Sequence, residues 1–312
     1  MVTMNTLSKR ITVAVGTAAL VGSAIAVSAA PAMAALPECT DDFDGDWLGG
    51  PIKAGMVVCG GPGDDTVPVM KGGVFIGGPG DDTVEIKDGG RFFGNLGNDE
   101  VVQHNGGKTW GGFGKDHVEE QDGGTFYGGA GKDSVYLLFS GIFDGDRGDD
   151  MVGDYIGPDG VFLGGPGDDR FGDEIGDNFM DGIFRGGPGA DWSHYIDFGV
   201  FFGGLGKDSA ENVFGTFYGG AAPDSAYAVS GGKFVGARGN DKVMFMEGGK
   251  FVGAKGNDAV TGGMLASDFQ GGQGTDSAKF CGEDNIFGSV EIKTDAGDVC
   301  PTVAAAGRTR SR

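Results

Sequence analysis

Residues 77–99 read GGPGDDTVEIKDGGRFFGNLGND: a glycine-rich loop closing on Asp82, a short apolar run at Val84, a glycine pair, a phenylalanine pair, then the loop again, closing on Asp99. The pattern recurs from residue 60 to 278. One aspartate per unit marks it: Asp65, Asp82, Asp99, Asp116, Asp133, Asp150, Asp169, Asp191, Asp208, Asp224, Asp241, Asp258 and Asp276. Eight of the twelve intervals are 17 residues, and the others are 16, 18, 19 and 22. A fixed short period with one glycine-rich turn per unit specifies a solenoid, because one unit cannot bury its apolar residues except against the next.

Each unit carries two apolar segments. One centres on the valine after the aspartate (Val67, Val84, Val135, Val243), the other on a phenylalanine (Phe75, Phe92, Phe126, Phe143, Phe162, Phe184, Phe201, Phe217, Phe234, Phe251). Strands of about three residues with period-2 alternation point these rows inward. The expected fold is all-β: a parallel β-roll, or two-sheet β-solenoid, of about 13 short coils stacked at roughly 4.8 Å each. Its second turn is a tight doublet such as Asp88-Gly89-Gly90, Asn105-Gly106-Gly107 or Asp122-Gly123-Gly124, residues that supply positive φ.

Composition agrees. Of 312 residues, 67 are Gly and 11 Pro, which excludes ordinary helical domains, and Gly lacks the strict third-position period of collagen. A formal charge of −22 makes nucleic acid an unsuitable partner and calls for counter-cations or a solvated surface.

The loop Gly77-Gly78-Pro79-Gly80-Asp81-Asp82-Thr83-Val84 resembles the G-G-x-G-x-D-x-U-x nonapeptide of hemolysin-type (RTX) calcium-binding repeats. The resemblance covers roughly 220 residues, thirteen copies in register. It implies a β-roll with calcium between stacked loops, held by Asp65, Asp82, Asp99, Asp116, Asp133, Asp150, Asp169, Asp191, Asp208, Asp241, Asp258 and Asp276 and by loop carbonyls, including Gly61, Gly63, Gly78, Gly80, Gly165 and Gly167. Calcium as a hard cation taking six to eight oxygens suits such a set, and would be part of folding. The alternative is a metal-free solenoid in which each Asp caps its own loop, although capping alone does not call for three glycines. This chain departs from the family in three ways. Only half of each 17-residue unit carries the motif, so one row of ions is expected. Lysine stands at the fifth motif position in Lys115, Lys132 and Lys207, where a salt bridge replaces a second carboxylate. The copy Gly219-Gly220-Ala221-Ala222-Pro223-Asp224 lacks a glycine, and the longer units before Asp169 and Asp191 are expected to interrupt the column, leaving fewer ions than coils.

The ends add an address. Lys9 and Arg10, the apolar stretch from Ile11 to Val27 and Ala32-Met33-Ala34 read as a secretory signal over 1–34 cleaved after Ala34, with a membrane anchor as the alternative. An N-terminal cap over 35–59, the roll over 60–280 and a C-terminal cap with a basic tail over 281–312 complete the organisation, and the expected location is extracellular, with no membrane span. In an oxidising compartment the four cysteines allow three connectivities. Cys39 with Cys59 and Cys281 with Cys300 would staple the two ends.

His104 at a short turn, His117 beside the valine row and His194 share no loop position, so neither a zinc site nor a catalytic dyad is expected. Asp191-Trp192-Ser193-His194 is read as an irregular loop, not a triad, and no catalytic activity is expected. Alternation turns Phe93, Trp110, Tyr127, Phe202 and Tyr218 outward as a candidate stripe for a polymer, a cell-surface partner or weak self-association. The expected function is therefore a secreted calcium-binding roll with a structural or binding role. Against it stand a metal-free adhesin and a parallel β-helix enzyme acting on polysaccharide, the latter disfavoured by the short coils.

Overall fold

The computed structural model of the chain describes residues 41–42, 50–173, 178–281, 284–290 and 292–295. They form an all-β parallel β-solenoid of about 14 turns without helices. Coil pairs with coil at a fixed offset: Val84 opposite Val101 opposite Val118, and Phe126 opposite Phe143 opposite Phe162. Regular pairing extends into the expected caps, with Ile52 opposite Met70 at one end and Phe269 opposite Phe287 at the other.

The strands are longer than the three residues expected. Thr83–Leu96, His117–Gly131 and Ser134–Arg147 each run through the second turn. Gly90 and Gly124, at φ of 74° and 70°, reverse the chain, and the pairing shifts register across the bend before it resumes at Arg91 and Thr125. After Asp150 most coils divide into two short strands, as in Ser209–Val213 and Thr216–Ala221.

Three inward rows fill the interior. The phenylalanine row is the most regular. From Phe126 through Phe143, Phe162, Phe184, Phe201, Phe217, Phe234 and Phe251 to Phe269, neighbouring rings stack with centroids 4.6–5.1 Å apart. Strand spacing sets that separation, so identical side chains in consecutive coils stack without adjustment. Each buried ring contributes about 1.5–3 kcal/mol by burial, and each stacked pair about 0.5–1.5 kcal/mol more. The second row holds Val67, Val84, Val101, Val118, Val135 and Val152, then Phe171, Ser193, Ala210 and Ala226. In the third row Met70 is followed by Lys87, His104 and Gln121 before the apolar sequence resumes at Leu138 and Ile156, all of them fully buried. His104 is thus a core residue of the sheet, not a residue of the short turn.

A buried aspartate ladder as the candidate site

At the glycine-rich edge every motif aspartate turns inward and is buried, from Asp65 to Asp276. The backbone N–H of each donates to Oδ1 of the aspartate one coil on: Asp65 to Asp82, Asp82 to Asp99, Asp99 to Asp116 and so on to Asp258 and Asp276, at 2.8–3.0 Å. The backbone carbonyl of each aspartate accepts from the residue after the next aspartate, as Thr83 N–H does to Asp65. The column is continuous. The units of 19 and 22 residues keep it, at 2.8 Å into Asp169 and 2.9 Å into Asp191, and so does the alanine-bearing copy, at 2.8 Å into Asp224. The expected interruptions by the longer units do not occur, and in the alanine-bearing copy Ala222 adopts the glycine-like φ of 105°.

The glycines have steric reasons. A Cβ built on Gly77, Gly94 or Gly111 would overlap Oδ2 of Asp82, Asp99 or Asp116. Carbonyls of Gly61 and Gly63 face the Cα atoms of Gly78 and Gly80 in the next coil, and the same close approach recurs at Gly165, which meets Asp146 O, and at Gly167, which meets Gly148 O. The three glycines therefore follow from stacking alone, and their presence does not by itself call for a metal.

Oδ2 is another matter. In the eleven coils from Asp82 to Asp258 it is shielded from solvent and has no hydrogen-bond partner among the described residues. Burial, reinforced in most coils by neighbouring carboxylates and opposed by the backbone hydrogen bond, raises these groups from 3.8 to between about 6, as at Asp116 and Asp208, and about 8, as at Asp99, Asp133, Asp169 and Asp224. Such a file at neutral pH calls for protons or a cation. The donor set, one unclaimed carboxylate oxygen per coil among loop carbonyls, matches a hard cation in kind. Among the described residues no three His, Cys, Asp or Glu side chains converge, so backbone oxygens would have to supply most of any coordination shell.

A second ladder runs outside the first in the opposite sense, and the sequence reading missed it. At the fifth motif position the N–H of Asp81 donates to Oδ1 of Asp64 in the preceding coil, Asn98 to Asp81, Lys115 to Asn98, Asp168 to Asp149 and Asn257 to Asn240. The signal was the recurrence of Asp or Asn there, since both carry the accepting oxygen. Lys132 forms the anticipated salt bridge, 2.6 Å to Asp149, which with the Asp168 N–H holds the Asp149 carboxyl below the usual range.

The other sequence candidates are dispersed. Trp192–Ile196 is a strand, not an irregular loop. Alternation buries Ser193, whose hydroxyl donates to Tyr195 O, while His194 lies on the other face between Asn178 Oδ1 at 2.7 Å and Glu211 at 3.3 Å, so Asp191, Ser193 and His194 form no triad. An open cleft of about 620 Å³ beside it is lined by Arg170, Trp192, His194, Lys207 and Glu211. The outer aromatic row stacks as Phe93–Trp110–Tyr127 and Phe202–Tyr218. Phe93 is buried with Cys59, Val74 and Ile76, and Lys108, Arg185 and Lys233 lie over Tyr127, Phe202 and Tyr218, so much of the stripe is already covered. Cys59 and Cys281 are buried and neither is a free thiol, while Cys39 and Cys300 lie outside the described residues, as does the signal segment. Among the described residues no helix is long and apolar enough to cross a membrane.

Comparison with protein-family models, with curated proteins and with solved structures finds no match.

Proposed function

We propose that this chain is a non-catalytic β-solenoid of the cell exterior whose stacked loops are bound together by calcium. The observation that carries the reading is the file of shielded Oδ2 atoms from Asp82 to Asp258, which nothing among the described residues satisfies. Calcium supplies hard positive charge there. The residues that would hold it are the ladder aspartates with the loop carbonyls, among them Gly61, Gly63, Gly78, Gly80, Gly165 and Gly167. The chain's own contribution is to align these oxygens by stacking and to keep water from them. A basic, apolar, small-residue N-terminus supports export, and extracellular calcium then suits a site with dissociation constants of about 10⁻⁴–10⁻³ M. The scatter of His104, His117 and His194 supports a structural or binding role, with a cell-surface or polymer partner, over catalysis.

One observation favours a second reading. Oδ1 is already committed to a backbone N–H and Oδ2 lies against glycine, which suits a protonated carboxyl in a metal-free stack. Thermal melts of the chelated, disulfide-intact protein at pH 8, with calcium added and magnesium as control, separate the two. Calcium raises the midpoint and magnesium does not if the ladder is a metal column. An unmoved midpoint assigns the ladder to protons and withdraws calcium.

A further inference from the structure

The phenylalanine row breaks once between Phe75 and Phe269. Opposite Phe92 on one side and Phe126 on the other stands Thr109, 2% exposed, at the position where the neighbouring coils place a ring. Phe75 stacks on Phe92 and Phe126 on Phe143, but Phe92 and Phe126 are two coils apart with only Thr109 between. The same coil carries His104 in the third inward row, and the coils before and after it carry Lys87 and Gln121 at that position, all three with no exposure. A hydrophilic cluster in the core and a missing ring therefore coincide.

Part of the cluster satisfies itself. Lys87 Nζ donates to Gly106 O at 2.7 Å and lies 3.2 Å from His104 Nε2, and Gln121 Nε2 donates to Ile142 O at 2.9 Å. Three buried atoms of the cluster have no partner among the described residues: His104 Nδ1, Thr109 Oγ1 and Gln121 Oε1. Each such atom destabilises the fold if nothing answers it.

We propose that the space left by Thr109 is an internal hydration site, in which bound water bridges His104 Nδ1, Thr109 Oγ1 and Gln121 Oε1. The bonds already made decide the class of ligand. Because the Gln121 amide nitrogen is committed to Ile142 O, its oxygen faces the ligand as an acceptor, which an anion cannot serve. Thr109 donates or accepts, and His104 Nδ1 does either according to its tautomer, which follows whether Lys87 gives or takes the proton between them. Water donates two hydrogen bonds and accepts two, and a polar cavity offering two to four partners is where buried water is found. Burial, helped by Lys87, holds His104 down to about 3, so the ring is neutral.

The test is water-to-protein rotating-frame Overhauser spectroscopy on the whole mature chain, together with a crystal structure resolving ordered solvent. The expected result is at least one long-lived water with cross-peaks to Thr109 and the His104 ring, and density within hydrogen-bond distance of all three atoms. Thr109→Val, which keeps the shape and removes the hydroxyl, should weaken the cross-peaks and lower the melting midpoint. The combined Lys87→Met, His104→Leu, Thr109→Phe and Gln121→Leu variant, which extends both apolar rows, should lose the signal and remain folded. A wild-type interior with no long-lived water, or with the three atoms bonded to one another, overturns the proposal, and that measurement does not depend on any variant folding.

Discussion

At the residue scale, the motif is governed by what a Cβ would meet. Gly111 has ordinary backbone angles, yet its Cβ position is taken by Oδ2 of Asp116. Gly111→Ala should therefore cost about 1–3 kcal/mol as an overpacking change, read as a lower denaturation midpoint at unchanged m-value. Ala222 is the converse: a Cβ held at φ 105° where the other coils place glycine. Ala222→Gly removes a strained left-handed conformation and should stabilise by about 0.5–1 kcal/mol, after the entropy glycine gives up on folding. Asp133→Asn distinguishes a proton from a cation on the ladder. Asparagine keeps the accepting oxygen for the Asp116 N–H and cannot be ionised. With protons on the ladder, the variant is at least as stable as the parent at pH 8 with or without calcium; with calcium on it, the variant loses part of the calcium-induced rise.

At the scale of the element, the two aspartate-edge ladders and the ring stack are cooperative objects, and their pH dependence has a definite sign. The ladder carboxyls are raised in the folded chain to between about 6 and about 8, against 3.8 unfolded. Between those values the native state binds more protons than the unfolded one. The metal-free protein is then most stable below about pH 4 and loses stability as pH rises through 6–8. Melting midpoints of the chelated protein from pH 4 to 8 should fall steadily, and a midpoint that rises over this interval refutes the buried ladder. Lys87, lowered to about 7 by burial, works in the opposite sense only above that value. How much of this was legible in the sequence follows from periodicity. The 17-residue count gave the coil and the loop that holds each aspartate, and period-2 alternation gave the inward Val and Phe rows; that the aspartates also turn inward was not legible. Continuity through the 19- and 22-residue units was not legible, because spacing along the chain does not say whether extra residues bulge outward or displace the ladder. The Lys87, His104 and Gln121 row was also hidden: each sits beside a turn doublet, where polar residues are ordinarily solvated, and only the three-dimensional register aligns them with Met70 and Leu138.

At the scale of the whole molecule, each coil between Asp65 and Asp276 touches only its neighbours, so stability is close to a sum of coil and interface contributions, and opening begins where one neighbour is missing. Native-state hydrogen exchange should accordingly show protection highest in the central coils around Asp150 and Asp169 and falling toward both ends. The terminal cysteines sharpen that expectation. If Cys59 is joined to Cys39 and Cys281 to Cys300, non-reducing peptide mass spectrometry finds those two pairs, and reduction lowers protection in the coils next to Cys59 and Cys281 before it reaches the centre. Calcium should act differently. Each aspartate is tied through Oδ1 to the coil before it, so cations bound along this edge would strengthen every junction between coils at once. Adding calcium to the chelated protein is expected to raise protection along the whole column from Asp82 to Asp258 in a single cooperative step. Protection gained in one or two coils only would instead mean a local ion site, with the rest of the ladder held by protons. The alanine-bearing Asp224 coil makes the sharpest position to watch, because its carboxylate is in register while Ala222 replaces a loop glycine.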